Sequence, residues 1–301
     1  MLNKRGLAPD EIEKIEGLIT TSKDNPIDPD TFIPWTIPAA DTFEYMPSQV
    51  LSLHGDPLFD TLTAQQKTKL AKAEVGQVMY SYAWSEGLAC LFFYRYLVTL
   101  NQSVSAEYRY LLIEIFEETC HQQMFSRGIQ ALGVTTAPPR TLHRFVGDLA
   151  ARFLPSDVLF MSVLAIEMVT DMYGRQIMAY PNMYPVLAKI SELHKIEEDR
   201  HMYFGELLLK KHTENAGPFR RTLYSIIVCL NLYFMRTLYV RKSILHNIGL
   251  DPKIYYKPAY DGLKQKFSEH CLTRAVDFVA EWKGFNWFTR IFWRTLLAAK
   301  V

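Results

Sequence analysis

Glutamate followed three residues later by histidine occurs twice in this chain, as Glu118–His121 in ETCH and as Glu198–His201 in EDRH. Each pair follows a lone glutamate by nearly the same interval: Glu86 stands 32 residues before Glu118 (118 − 86), and Glu167 stands 31 before Glu198 (198 − 167). Residues three apart on a helix share a face, so each motif offers one carboxylate and one imidazole to a common point. Two lone glutamates and two such pairs, carried on four helices, form the donor set of a two-metal carboxylate site in the core of a bundle. Glu86 shifted by 81 is Glu167, and Glu118 and His121 shifted by 80 are Glu198 and His201. The chain therefore reads as a pseudo-repeat of two metal-binding helix pairs.

The rest of the sequence agrees with that demand for helices. From Thr63 onward, LTAQQKTKLAKAEVGQVMYSYAWSEGLACLFFYRYLVTL has no proline and spaces its apolar residues helically, with Glu86 mid-helix. Glu107 to Leu132 forms the next helix, stopped at Gly133, and TTAPPR breaks the chain before a helical stretch at Thr141 to Phe153. Glu167 lies in a strongly apolar helix after Pro155. Beyond Pro181 and Pro185, the segment Val186 to Lys211 carries His194, Glu198 and His201. One long helix is expected from HTENAGPF to about Ile248, then a break over GLDPKIYYKPAYDG, then helices near Leu263 to Trp282 and Trp287 to Lys300. No period-2 pattern is long enough for a sheet, so the fold class is all-α: a ferritin-like helical bundle with extra C-terminal helices. Residues 1–60, rich in Pro, Asp and Thr, are expected as an extended N-terminal arm packed on the bundle, and residues 61–301 as the bundle itself, one domain overall.

Composition narrows the function. With 33 basic and 32 acidic residues among 301, the formal charge is +1, which argues against capture of nucleic acid. Four scattered cysteines, Cys90, Cys120, Cys229 and Cys271, show no metal or disulfide spacing and fit reduced thiols in a cytoplasm. The first residues lack the apolar run of a secretory signal. Thr222 to Val240 is long enough to span a membrane, but Asn231 and Arg236 interrupt it and favour a buried bundle helix. The tail GFNWFTRIFWRTLLAAKV could lie on a membrane surface; docking on the bundle or on a dimer partner is the plainer expectation.

Glu86 and Glu167 sit among apolar and aromatic neighbours, where an ionised carboxylate needs a partner: a metal, or an arginine or lysine from another helix. Glu74, on the same helix as Glu86, is the alternative first ligand. Glu117, four before His121, is a candidate to support a ligand from behind. His194, Glu198 and His201 fall at i, i+4 and i+7 and form one stripe, so this helix offers three ligands. The repeat is imperfect there, since 194 − 80 is 114, a glutamate. Four glutamates balance two divalent ions, and oxygen and nitrogen donors without thiolate suit iron, with manganese possible.

The set Glu86, Glu118-x-x-His121, Glu167 and His194-x-x-x-Glu198-x-x-His201 resembles that of the p-aminobenzoate N-oxygenase family of non-haem di-iron oxygenases, whose site uses an extra histidine where His194 stands. The resemblance extends over roughly residues 30 to 250, including WTIP and DPLFDTLTAQQKTKL. It implies two iron ions, O2 as co-substrate, a homodimer, and oxidation of an aryl amine to the hydroxylamine, nitroso or nitro level. The expected route is oxygen transfer from a peroxo-diferric intermediate, with electrons from a ferredoxin or reductase, since neither a dinucleotide fingerprint nor an iron–sulfur cysteine cluster is present. A carbon hydroxylase or desaturase and a metal-storage protein are the rival readings. The substrate is expected to be small and aromatic, with Tyr82, Trp84, Phe92, Phe93, Tyr173 and Tyr203 as candidate pocket residues and Arg95 or Arg175 as candidate carboxylate partners.

Overall fold

The computed structural model describes residues 7–100 and 105–301, and among these it is all-helical: no strand occurs. In chain order the helices are α1 (Pro9–Asp24), α2 (Pro29–Phe32), α3 (Pro57–Asp60), α4 (Ala64–Leu97), α5 (Ala106–Leu132), α6 (Thr141–Phe153), α7 (Ser156–Met178), α8 (Pro185–Glu214), α9 (Pro218–Tyr239), α10 (Lys242–Asn247), α11 (Pro252–His270), α12 (Thr273–Glu281) and α13 (Trp287–Leu297).

Two of the long helices, α4 and α5, begin at side-chain caps. At the start of α4, Thr63 Oγ1 accepts from Gln66 N (3.2 Å) and Gln66 Oε1 accepts from Thr63 N (2.9 Å), so two otherwise orphaned amides are satisfied. At the start of α5, Ser105 Oγ accepts from Tyr108 N (3.1 Å), and Gly133 ends the helix in the left-handed conformation (φ 63°) that only glycine adopts freely. α4 packs along α5 and α7 along α8, and α9 closes over α4 and α7. α7 is central: every residue from Asp157 to Ala165 is buried, as expected of a helix surrounded by others.

Three expectations change. Residues 9–24, expected within an extended arm, form α1, which lays Ile15 and Ile19 against the core beside α5. The helix-breaking prolines of the arm, Pro26, Pro29, Pro34 and Pro38, all come after it, while Pro9 takes the first helical position, where no amide donor is needed. Beyond α1 the chain is irregular, and one bridge pins it to the α7–α8 turn, with Glu44 N donating to Asn182 O (3.0 Å) and Tyr184 N to Glu44 O (2.8 Å). Residues 1–6 of the expected arm lie outside the described residues.

The long helix expected to reach Ile248 stops at Tyr239, where Val240 and Arg241 are extended, and resumes as α10. The expected break at GLDPKIYYKPAYDG is instead helical: Asp251 caps α11, Pro252 occupies its first turn, and Pro258 lies inside it. The final tail forms α13 and packs on α9, burying Trp293, whose indole Nε1 donates to Ser225. By length and composition, the span Pro218–Asn247 is apolar enough to cross a membrane, and 61% of its most apolar window is buried within the protein.

Candidate metal centre

All seven residues singled out by spacing converge. α4 supplies Glu86, α5 supplies Glu118 and His121, α7 supplies Glu167, and α8 supplies His194, Glu198 and His201. They form two sets, Glu86–His121–His194–Glu198 and Glu118–Glu167–Glu198–His201, in each of which the possible ligand atoms lie within 4.8 Å of one another. Glu198 belongs to both. All seven are buried. Glu74 is excluded from the cluster: its carboxylate accepts from Ser52 N (3.0 Å) and pairs with the Ser52 hydroxyl. It also lies 12 residues before Glu86 (86 − 74), about 18 Å along the same helix.

The ligand atoms lack the partners that buried polar atoms normally have. Glu86 Oε2, Glu118 Oε2, Glu167 Oε1, Glu198 Oε2, His121 Nδ1 and His201 Nδ1 have no hydrogen-bond partner. His121 Nδ1 stands 3.6 Å from both Glu118 Oε2 and Glu198 Oε1, and His201 Nδ1 stands 3.4 Å from Glu118 Oε1. His194 Nε2 lies 3.1 Å from Glu198 Oε1 and 3.3 Å from Glu86 Oε1. Donor atoms each about 2.1 Å from one ion stand roughly 3.0–3.5 Å apart, so this spacing is that of atoms facing a shared cation. Two other buried acids of the fold are answered by arginine instead. Asp157 pairs with Arg220 and Tyr224, and Asp171 accepts from Arg175 (2.9 Å) and Arg274 (3.3 Å). No lysine or arginine of the described residues forms an ion pair with Glu86, Glu118, Glu167 or Glu198. The donor set fits a pair of hard or borderline divalent ions.

Burial and the mutual charges of the cluster shift its titrating groups in both directions. Burial pushes the Glu86 carboxyl up to about 7, with the like charge of Glu118 adding and His194 opposing. Burial, reinforced by Glu198 and Glu114, lifts Glu167 well above the usual carboxylate range. For His121 and His201, burial favours the neutral ring, but the surrounding carboxylates outweigh it and hold both well above their ordinary value. Glu198 goes the other way: burial would raise it, and His194 and His201 hold it well below.

Behind the ligands lies an arrangement that the spacing did not reveal. His121 Nε2 pairs with Glu197 Oε2 (2.7 Å), while His201 Nε2 pairs with Glu117 Oε2 (2.8 Å). Each carboxylate thus orients the histidine of the opposite helix. Arg200 donates to Glu117 (2.7 Å) and stands 3.8 Å from Glu197. Such pairing fixes the imidazole so that its other nitrogen faces the metal. Glu117 was a candidate from sequence; Glu197 was missed. The signal was present, since both motifs read Glu-Glu-x-x-His: EETCH and EEDRH. Glu114, the counterpart of His194 in the repeat, is also buried beside the second set, with one oxygen unpartnered.

A cavity with about 100 Å³ of free space abuts the cluster and touches Glu86, Glu118, Glu167 and Glu198. Of the aromatic candidates, Tyr82, Trp84 and Phe92 line it. Phe93 packs on Phe160, Tyr173 lines a separate small cavity with His194, and Tyr203 is largely on the surface. Arg95 donates to Ala151 O, and Arg175 pairs with Asp171 and Asp199, so neither reaches the cavity.

Residues 8–276 match the family described as P-aminobenzoate N-oxygenase AurF. The chain belongs to that family. Among curated proteins it is similar to uncharacterized proteins of Mycobacterium tuberculosis (strain ATCC 25618 / H37Rv) and Mycobacterium bovis, each 29% identical over 158 residues. Those matches cover 51% of this chain and 43% of each relative, so the chain aligns with less than half the length of these relatives. The N-oxygenase family is helical and ferritin-like with a di-iron site, in keeping with the architecture and the buried carboxylate–histidine cluster found here.

Proposed function

We propose that this chain is a non-haem di-iron oxygenase that uses O2 and externally supplied electrons to oxidise an amine nitrogen, foremost that of an arylamine, to the hydroxylamine, nitroso or nitro level. The observation that carries this reading is the convergence of seven buried donor residues, with unpartnered oxygen and nitrogen atoms, beside an apolar cavity. Glu86, His121, His194 and Glu198 would hold one iron, and Glu118, Glu167, Glu198 and His201 the other. The two ions would supply reduction and activation of O2. Glu197 and Glu117 orient His121 and His201, and the apolar wall keeps water from the reacting atoms. Family membership favours nitrogen over carbon as the oxidised atom. The cavity favours an oxygenase over a storage protein, which needs no space for an organic molecule.

Four free cysteines spread over the chain support a reducing, cytoplasmic setting, and electrons would come from a separate ferredoxin or reductase. A homodimer is supported by the exposed apolar stripe Leu142, Phe145, Leu149 and Phe153 along α6. The test is to load the protein with iron, reduce it, expose it to O2 and analyse products from a panel of arylamines and of fatty and aromatic acids. Oxidised nitrogen supports the reading. Oxidation at carbon alone points to a hydroxylase, and consumption of O2 without any organic product points to storage.

A further inference from the structure

The cavity beside the cluster shows which molecules it can accept, on the reading above that it is the substrate's place. Its acidic lining consists of the four glutamates of the cluster, and no lysine or arginine of the described residues reaches it. Two divalent ions held there would already be balanced by those four carboxylates. Three hydroxyls of the wall are spent on their own helices, Ser85 donating to Ser81 O (2.9 Å), Ser162 to Val158 O (2.8 Å) and Thr170 to Glu167 O (2.9 Å), while the buried Tyr82 hydroxyl has no partner and carries no charge.

Two polar side chains enter from α6 and α9, the helices of this wall that carry no ligand. Asn231 Nδ2 donates to Ser162 Oγ (2.7 Å), whose own hydrogen is already placed, and this fixes the amide with Oδ1 as a free acceptor. His143 Nε2 meets Thr237 Oγ1 (2.8 Å), whose hydrogen goes to Phe234 O (2.7 Å), so this ring nitrogen is the donor. Burial, with Arg140 and Arg241 nearby, lowers the His143 ring below its ordinary value and keeps it neutral. No positive group of the wall can therefore balance an anion, and a carboxylate entering beside four glutamates would lose its water without gaining a counter-charge. Size is limited too: about 100 Å³ is on the scale of the ~150 Å³ apolar cavity that accommodates benzene.

We infer that this cavity selects a small, neutral, apolar amine of about one aromatic ring and rejects carboxylates, so that an acid such as p-aminobenzoate is not the molecule this chain oxidises. The test measures binding without chemistry. Reduced, iron-loaded protein kept free of O2 is titrated with 4-methylaniline and with 4-aminobenzoate at pH 7.5, by calorimetry or equilibrium dialysis. The neutral amine is expected to bind at least about tenfold tighter, which is about 1.4 kcal/mol. A ratio below tenfold, or tighter binding of the acid, overturns the inference. Val163→Phe, which fills the cavity from α7, is expected to weaken 4-methylaniline binding by about tenfold or more. Unchanged binding in folded V163F would also overturn it, and if V163F does not fold the ligand pair in the wild-type protein decides. Because no oxidation is involved, this result stands apart from the oxygenase test: acid binding with arylamine oxidation sinks the selectivity alone, and neutral-amine binding without O2 chemistry sinks the oxygenase reading alone.

Discussion

Replacing Glu197 by glutamine keeps the shape of the side chain behind His121 and removes its charge. In the native protein Glu197 Oε2 lies 2.7 Å from His121 Nε2, and its other oxygen is 3.8 Å from Arg200, so the loss falls almost wholly on His121. Glutamine can still accept from the imidazole N–H, but a charge-assisted bond is roughly twice as strong as a neutral one. Carboxylates in this position typically contribute about 10–100-fold in metal affinity, or about 1.4–2.8 kcal/mol. His121 belongs to the set with Glu86 and His194, so one of the two sites should weaken by that factor and the other should change little. Glu117→Gln should act in mirror image through His201, and because Glu117 also holds Arg200 at 2.7 Å it should lower the stability of the metal-free protein as well. Anaerobic titration with Co2+, followed by its visible absorption and fitted to two sites, reads both affinities. The crossed arrangement would be refuted if each variant weakened both sites equally, or if neither changed a site by more than about twofold.

Metal loading should release protons, because His121 and His201 are held above their ordinary values and Glu86 is pushed up to about 7 in the metal-free cluster. Calorimetry in buffers of different ionisation enthalpy at pH 7 should show net release of protons on metal binding and an affinity that rises with pH; zero release would count against the cluster as described. Burial, opposed by the Ser52 hydrogen bonds, pushes Glu74 from 4.5 up to about 7. The folded protein then binds that proton more tightly than the unfolded chain. The resulting stability is fully present below about pH 4.5 and lost as pH rises through 7, a swing of about 3 kcal/mol. The stability difference between wild type and Glu74→Gln, from urea unfolding, should change by about 2.5 kcal/mol between pH 5 and pH 8, and a constant difference would show the reasoning to be wrong. Gly262 on α11 lets the backbone of Ser52 approach so closely that a Cβ would stand 2.1 Å from Ser52 O. Gly262→Ala should therefore destabilise by about 1–3 kcal/mol; an unchanged melting temperature would mean that the contact yields freely.

The ligand set was legible because it depends on one local rule, the helical repeat, which fixes which residues share a face. His194, Glu198 and His201 needed only that rule, and the pseudo-repeat supplied the remaining four. The crossed support was not legible, because Glu117 precedes His121 by four residues on the same helix yet orients His201 on another. Only the packing of α5 against α8 decides that exchange. The break after Tyr239 left no trace, since no glycine or proline stands between Thr222 and Ile248 to mark it. Pro258 misled in the opposite direction: two prolines six residues apart read as a break, but one sits in the first turn and the other removes a single hydrogen bond from a helix anchored at both ends. The cavity was half visible. Tyr82, Trp84 and Phe92 were foreseeable from their places on the Glu86 helix, whereas the absence of a cation depends on where Arg95 and Arg175 turn, and each finds a partner elsewhere.

The account rests on two ions held by seven side chains, and the most direct measurement is the iron content of protein loaded anaerobically with Fe2+ and freed of excess metal. The structure predicts about two irons per chain, falling to about one or fewer on replacing Glu198, the residue common to both sets, by alanine. Wild-type protein that holds one iron or none under these conditions, while remaining folded, would contradict the two-metal site.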